Sequence, residues 1–314
     1  MTFRCGSVAL FGRPNAGKST LLNQILGSKL AITSHKPQTT RDRIAGIHND
    51  DAHQIIFIDT PGYHEAWTEL NKAMVERTRG ALRDADVVLW LIDASLYARK
   101  VEKAMKKGEE PRLLDAFDAS MVELLTKTEC PVVLVANKVD VVPKALLLPV
   151  LDIFNAALTL KAIVPTSALT GDNVPALLDE VRGLLPEHPA LYPVEQWTQV
   201  TERFLVGEII REKLVHLLEK EIPYAAFVEI ETFDEALREA KKPLVKIFAR
   251  IVVERPSQKG IVIGKGGDML KRIGQHSRQD IEALLECKVF LELFVSVEKD
   301  WTKSRKGLRR VGFE

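Results

Sequence analysis

The sequence predicts an α/β chain in two parts. A mostly parallel sheet covered by helices spans residues 1–185, and a smaller α+β domain spans 201–314, with a proline-rich linker at 186–200 between them. Three observations predict this. Short apolar runs alternate with amphipathic helical patterns as far as residue 185, as parallel strands and their crossover helices do. Leu184-Leu-Pro-Glu-His-Pro-Ala-Leu-Tyr-Pro193 then places three prolines in ten residues, which breaks the preceding helix and reads as a stiff, extended linker. Beyond it the order changes to helix, two strands, a glycine-rich turn, a helix and a strand.

Size and composition agree. At 314 residues the chain is long enough for two cores. Its 46% hydrophobic and 28% charged content is that of a soluble globular protein. Formal net charge is only +1, so any surface that attracts a polyanion must be local. Cys5, Cys130 and Cys287 lie far apart without metal-ligand spacing, and Cys130 and Cys287 adjoin apolar runs, where buried free thiols are expected. A reducing, cytoplasmic compartment fits them. No apolar stretch reaches the roughly 18 residues that span a bilayer, and the N-terminus lacks a signal-peptide plan. Association with a membrane surface stays open.

In the first part the strand candidates are 8–11, 55–58, 87–92, 132–136 and 163–164, and the helical patterns are 21–26, 70–82, 101–125, 145–158 and 174–185. Ligands of such sheets bind in the loops at the carboxyl ends of the strands, where this chain places its polar motifs. After the first strand comes Gly12-Arg-Pro-Asn-Ala-Gly-Lys-Ser19, which fits G-x-x-x-x-G-K-[ST] between a strand and a helix. Gly12 and Gly17 let the backbone bend so that N–H groups from Arg13, Asn15 and Ala16 onward line a phosphate cradle, Pro14 among them having none. The helix beginning near Thr20 adds its dipole. Lys18 supplies a cation for the outer phosphates, and the Ser19 hydroxyl is placed to ligate Mg²⁺. A chance Gly-rich turn explains neither the lysine nor the hydroxyl.

After the second strand stands Asp59-Thr-Pro-Gly62. Asp59 is placed to hold Mg²⁺ through water, and Gly62 lets a backbone N–H approach a γ-phosphate, with Thr60, Pro61 and Tyr63 completing the loop. A plain turn would account for Thr-Pro-Gly but not for the acid at the strand end. After the fourth strand, Asn137-Lys-Val-Asp140 selects the base. A carboxylate at Asp140 accepts from both the ring N–H and the exocyclic amine of guanine, and adenine offers no such pair. The Lys138 stem is suited to cover the ring, Asn137 to brace the loop, and Val139 lies between them. Ser167, Ala168 and Leu169 after the last strand would offer a backbone N–H to the guanine carbonyl. Between the first two motifs, Ser34-His-Lys-Pro-Gln-Thr-Thr-Arg-Asp-Arg43 is polar, proline-interrupted and aperiodic. It reads as a loop whose Thr40 hydroxyl reaches Mg²⁺ only while a γ-phosphate holds it, which makes the segment a candidate switch.

Together these motifs resemble the Ras-like P-loop GTPases and, more narrowly, the bacterial Era family of ribosome-assembly GTPases. The resemblance implies GTP hydrolysis with Mg²⁺, a cycle between GTP and GDP forms, and transition-state stabilisation by Lys18, Thr40 and Gly62. Many Ras-like proteins carry a water-orienting glutamine where this chain has Tyr63, so intrinsic hydrolysis is expected to be slow, awaiting a partner or a monovalent cation. Related GTPases place a K⁺ ligand at the position of Asn15. One departure is the stretch 94–111, longer than usual in the family, with Arg99, Lys100, Lys103, Lys106 and Lys107 ended by Gly108 and Pro111. It reads as a solvated helix or loop rather than an extra RNA contact.

In the second part a helix begins near Glu202, with Phe204, Leu205, Ile209, Ile210, Leu214, Leu217 and Leu218 at helical spacing and Glu208, Arg211, Glu212 and Lys213 between them. Strands at 225–231 and 244–253 follow, with a charged loop between. Then Gly264-Lys-Gly-Gly267 joins two helical patterns, the second over 269–286, and a strand covers 287–297. Gly264, Lys265, Gly266 and Gly267 make a G-x-x-G loop of the KH kind, in which bare backbone packs against a sugar-phosphate chain while Lys265, Lys271 and Arg272 balance its charge. Ile261, Val262 and Ile263 beside it are candidates to line a groove for unstacked bases. Residues 255–279 carry six Lys or Arg against the single acid Asp268, a local polyanion footprint in a nearly neutral chain. The element order resembles the prokaryotic, type II arrangement of the KH fold, again as in Era. The final Trp301–Arg310 is basic and reads equally as a frayed tail or an RNA contact.

The resemblance implies a cytoplasmic monomer that binds the 3′ end of 16S ribosomal RNA and acts in maturation of the small (30S) ribosomal subunit; a peripheral place at the inner face of the cell membrane stays open. The rival is a nucleotide-gated RNA-binding module with another RNA or a membrane surface as its target and incidental hydrolysis. A metabolic kinase is more distant, because Asp140 specifies guanine and no acceptor site is visible.

Overall fold

The computed structural model describes residues 2–34, 36, 40–63, 68–110, 114–219 and 222–310. The chain divides into two compact units, one of Met1–Ala31, Thr40–Glu65 and Met74–Gln199, the other of Ile32–Thr39, Ala66–Ala73 and Val200–Glu314.

The first unit is built on strands β1 (Arg4–Gly12), β2 (Ile44–Asn49), β3 (His53–Asp59), β4 (Val87–Asp93), β5 (Val132–Asn137) and β6 (Ala162–Pro165), in the order β2-β3-β1-β4-β5-β6. All neighbours are parallel except the β2–β3 pair. Val8–Phe11, Val87–Leu91 and Val132–Ala136 are almost wholly buried, as strands covered on both faces must be. The covering helices are α1 (Lys18–Leu26), α2 (Glu69–Arg83), α3 (Ala94–Lys107), α4 (Ala116–Thr126), α5 (Lys144–Ala157) and α6 (Val174–Leu184). Register decides what stands at the rim: Leu10 pairs with Asp59 and Asp93 with Asn137, so the polar motifs end their strands side by side.

Three expectations change here. Strand β2 was not among the predicted strands, because Ile44-Ala-Gly-Ile-His-Asn49 is a short, partly buried edge with a glycine inside. Gly46 has a reason: an added Cβ would lie 2.5 Å from Leu26 and 2.9 Å from Leu22. The single helix expected over 101–125 is two. Asp93 caps α3 by accepting from the Ser95 and Leu96 N–H groups, Gly108 in the left-handed region (φ 67°) ends it, and Asp115 with Asp118 forms a capping box that starts α4. The basic run is therefore the body of α3; Pro111 lies outside the described residues.

The linker is the third. Residues 186–199 do not run free but lie along the sheet's edge. The Cys5 N–H donates to the Pro186 carbonyl (3.2 Å), and the Ile47 N–H to the Trp197 carbonyl (2.8 Å). Thr198 Oγ1 donates to the Ala45 carbonyl (2.7 Å), and Asn49 Nδ2 to the Val194 carbonyl (2.9 Å). The fully buried Gln54 accepts from the Leu191 and Tyr192 N–H groups at 2.7 and 2.9 Å and donates to the Tyr192 carbonyl. An edge strand leaves a row of backbone groups unpaired, and this segment pairs part of that row.

The second unit has a three-stranded sheet of β7 (Phe227–Leu237), β8 (Leu244–Val253) and β9 (Lys288–Val297), ordered β7-β8-β9, with β7–β8 antiparallel and β8–β9 parallel. One face is covered by α7 (Glu202–Leu217) and α10 (Asp268–Leu285), with α8 (Ile222–Ala225), α9 (Pro256–Ile263) and α11 (Arg305–Arg310) around it. Val206, Ile210, Leu214, Val245, Ile247, Ile251, Ile273 and Ile281 make the core. Strand β7 runs six residues beyond the expected 231, with bulges, so much of the predicted charged loop is strand. Arg211 and Glu212 are buried rather than solvated, and Arg211 pairs with Glu208 at 2.6 Å. The C-terminal segment is docked. Trp301 is fully buried, its Nε1–H donates to the Ala225 carbonyl (3.0 Å), and Gly307 packs so closely that a Cβ would lie 2.6 Å from Trp301.

The three cysteines are free; Cys5 is buried, while Cys130 and Cys287, expected to be buried, are only half-buried. Among the described residues no helix is long and apolar enough to cross a membrane, and no cluster of His, Cys, Asp or Glu with metal-holding geometry occurs.

Candidate functional site

The glycine-rich loop leaves β1 at Gly12 and enters α1 at Lys18. Two of its glycines are needed for contact as well as for backbone angle. A Cβ on Gly12 (φ 150°) would lie 2.2 Å from the Leu91 carbonyl oxygen, and one on Gly17 (φ 98°) 2.0 Å from Asn137 Nδ2. Asn15 takes the left-handed conformation with φ 62°, which asparagine tolerates better than most residues. Lys18 is only 6% exposed, and its amine donates to the Gly12 and Arg13 carbonyls at 3.2 and 3.1 Å, so it closes the loop it is meant to serve. Burial pushes its pKa down to about 8, with the Asp59 carboxylate opposing that shift.

Beside it, Ser19, Thr40 and Asp59 meet. Ser19 Oγ donates to Asp59 Oδ2 at 2.7 Å, Thr40 Oγ1 donates to the same oxygen at 2.9 Å, and the two hydroxyls are 2.9 Å apart. Asp59 is fully buried, and burial pushes its carboxyl up against the opposing pull of Lys18, Ser19, Thr40 and the Thr60 N–H. Asp59 Oδ1 is buried with no hydrogen-bond partner among the described residues. Two hydroxyls and a carboxylate with an orphaned oxygen form an all-oxygen donor set that suits Mg²⁺. His35, Pro37, Gln38 and Thr39 of the expected switch lie outside the described residues.

The Asp59–Tyr63 loop is pinned on several sides. Thr60 Oγ1 donates to the Leu10 carbonyl (2.7 Å), and the Tyr63 N–H to the Gly12 carbonyl (3.1 Å). Gly62 abuts the phosphate loop, where a Cβ would sit 2.8 Å from Pro14 Cα. The Tyr63 ring lies between Phe11 and Phe117, with centroids 5.6 and 5.5 Å away.

The base-selecting loop is tied to the phosphate loop through Asn137. Its buried Nδ2 donates to the Ala16 carbonyl at 2.8 Å, and its Oδ1 accepts from the Ala168 N–H at 2.9 Å. One side chain thus joins three of the four motifs. Lys138 is left-handed (φ 67°), and its amine pairs with Asp93 at 2.6 Å, which lays the stem along the loop. The Val139 N–H donates to the Thr166 carbonyl, Ser167 Oγ accepts from the Thr170 N–H, and Asp140 and Leu169 are exposed.

Sequence reasoning missed the supports. Arg13 is held by the fully buried Asp118 (Nε–Oδ1 2.8 Å) and by Asp115, and lies over the Phe117 ring at 4.7 Å. Tyr97 donates to the same Asp118 oxygen at 2.7 Å. The spacing of Asp115 and Asp118, a helix-start pattern, was the available signal.

In the second unit the G-x-x-G loop spans the turn from α9 to α10, with Gly264, Gly266 and Gly267 at φ 75°, 62° and 85°. A Cβ on Gly264 would strike Met269, but one on Gly266 or Gly267 would meet nothing within 4 Å, so this backbone is open to a ligand. Lys265, Lys271 and Arg272 are exposed, and no carboxylate pairs with them among the described residues. Ile261 is 52% exposed and Ile263 half-buried beside the loop. Val262 is not available to bases; it is fully buried in the core, because successive residues of a helix face different ways.

Known proteins match both units. A family model described as a 50S ribosome-binding GTPase matches residues 7–138, and a KH-domain model matches residues 221–302. The GTPase Era of Geobacter sp. (strain M21) is 48% identical over 99% of this chain and 98% of its own length. The chain belongs to the Era family of GTPases. The GTPase Era of Geotalea uraniireducens (strain Rf4) is 47% identical over the same shares. Two solved Era structures superpose along the chain, each 36% identical and covering 99% of both chains. One is Era in complex with MgGDPNP and nucleotides 1506–1542 of 16S ribosomal RNA, with a TM-score of 0.88. The other is Aquifex aeolicus Era Y63A bound to GDP and AlF4⁻, with a TM-score of 0.85. The Ras-like sheet followed by a type II KH domain is the fold of this chain, as its resemblance to the family had implied.

Proposed function

We propose that this GTPase is a switch that binds GTP with Mg²⁺, grips the 3′ end of 16S ribosomal RNA with its KH domain, and acts in assembly of the small ribosomal subunit. The observation that carries the reading is the joint presence, in one chain, of the Ser19–Thr40–Asp59 oxygen cluster and an open Gly266–Gly267 backbone flanked by exposed cations. Its likeness over 99% of the chain to Era in complex with MgGDPNP and that RNA segment supports the choice of ligands.

In this reading the GTPase domain is residues 1–185, the linker 186–200 and the RNA-binding domain 201–314. Asp140 reads guanine, and Lys18 and the Gly62 N–H meet the γ-phosphate. Ser19, Thr40 and, through water, Asp59 would hold Mg²⁺, which neutralises charge on the β- and γ-oxygens when bound. Arrival of a triphosphate draws the Lys18 amine off the Gly12 and Arg13 carbonyls. Tyr63 stands where many Ras-like proteins carry a water-orienting glutamine and is engaged with two aromatic rings, so turnover is slow until a partner helps or K⁺ binds at Asn15. In this reading the protein works as a cytoplasmic monomer.

Hydrolysis measured with and without small ribosomal subunits tests the reading, together with binding of RNA bearing the 3′ end against scrambled RNA of equal length at fixed salt. Stimulated turnover and preferential binding are expected. Equal binding of both RNAs removes the ribosomal assignment, and unchanged turnover favours an RNA-binding module with incidental hydrolysis.

A further inference from the structure

Two adjacent residues of α2 hold the two loops on which γ-phosphate sensing depends. Thr78 is fully buried, and its hydroxyl lies 3.1 Å from the Pro61 carbonyl, directly before Gly62. The same hydroxyl lies 3.0 Å from the Met74 carbonyl one helical turn back, and its single proton serves one acceptor at a time. Arg77 reaches the other loop. Its Nη1 donates to the Arg41 carbonyl at 3.2 Å, directly after Thr40, and its Nε lies 3.5 Å from Asp42 Oδ1. The grip is returned: Arg43 Nε donates to the Arg77 carbonyl at 2.9 Å, and its Nη1 pairs with Asp84 at 3.2 Å. Gly80 makes room for this, since a Cβ there would lie 1.9 Å from Arg43 Nη2. Neither Arg77 nor Thr78 belongs to the motifs that bind nucleotide.

We propose that Arg77 and Thr78 are positioning residues for GTP hydrolysis: they join the Thr40 loop and the Asp59–Gly62 loop through one turn of α2, so that both loops meet the γ-phosphate together. The inference rests on the reading that Thr40 and Gly62 are the γ-phosphate contacts. Thr78 fixes where the Pro61 carbonyl, and with it the following Gly62 N–H, stands. Arg77 fixes the backbone immediately after Thr40. GDP, lacking the γ-phosphate, depends on the phosphate and base loops and is indifferent to both residues. Discrimination between GTP and GDP is therefore the property these residues control.

The test uses the full chain with Mg²⁺ and fluorescent GDP and a fluorescent non-hydrolysable GTP analogue, comparing the parent with Thr78→Val, Thr78→Ser and Arg77→Met. Valine keeps the shape but orphans the buried Pro61 carbonyl, so analogue affinity and kcat should each fall roughly tenfold, with GDP affinity within about twofold of the parent. Serine, which keeps the hydroxyl, should restore both. Arg77→Met should show the same selective loss, and it carries the test should Thr78→Val fail to fold. Equal losses for GDP and analogue, no loss for either, or failure of serine to rescue would each overturn the inference. A parent protein in which Thr40→Ala and Gly62→Ala leave analogue affinity unchanged would instead overturn the reading on which it rests.

Discussion

Replacing Asn137 by alanine should uncouple the phosphate loop from the base loop, and the structure sets the size of the effect. The substitution leaves two buried groups without partners, the Ala16 carbonyl at 2.8 Å and the Ala168 N–H at 2.9 Å from the lost amide. Each orphaned group costs about 1–3 kcal/mol, less where water enters. A total of about 2–6 kcal/mol follows, and for a domain of this size each kcal/mol lowers Tm by about 2–4 °C. The expected drop is therefore about 4–24 °C for nucleotide-free protein. Both loops contact nucleotide in the proposed reading, so about 1.4 kcal/mol or more should appear in binding, a tenfold loss of GDP affinity. A thermal melt and a fluorescent-GDP titration measure the two quantities. A variant whose Tm moves by less than about 2 °C and whose GDP affinity stays within about twofold would refute the argument that one side chain couples these loops.

Asp140→Asn should invert the base preference from guanosine toward xanthosine diphosphate, since the new amide can donate to the xanthine carbonyl; competition between the two nucleotides measures it. The Lys18 amine, whose burial pushes its pKa down to about 8, should hold its proton more firmly beside bound phosphates. The free pKa then lies below the bound one, so GDP affinity falls as pH rises through 8 toward 9 and binding takes up a proton over that range. Calorimetry in buffers of different ionisation enthalpy reads that uptake. Trp301→Ala removes a fully buried ring and its bond to the Ala225 carbonyl and should cost the KH domain about 3–5 kcal/mol, while GDP affinity stays unchanged.

Contiguous features were readable from sequence. Each nucleotide motif is a short run whose residues act together, and the register of the strands brings those runs to one rim. The G-x-x-G loop was readable for the same reason. Features made by distant partners were not. Gln54 looks like an ordinary polar residue of a strand until Leu191 and Tyr192 are laid beside it, more than a hundred residues later. Thr78 and Arg77 sit in an amphipathic helix with nothing local to mark them, because their partners are backbone carbonyls at 61 and 41. Trp301 reads as one aromatic in a basic tail, and only the Ala225 carbonyl and Gly307 make it core. Val262 was assigned to the ligand side by apolarity alone, which does not say which way a helical residue faces.

The strap formed by residues 186–199 changes what counts as a cut point. Excising the first domain after Leu185 would strip the cover from β2, take from Gln54 its partners at Leu191 and Tyr192, and leave a bare ribbon rim open to a neighbouring molecule. A fragment ending after Gln199 would keep that rim closed. Nicking by a protease within 186–199 would accordingly threaten solubility of the nucleotide-binding half before it touched the RNA-binding half.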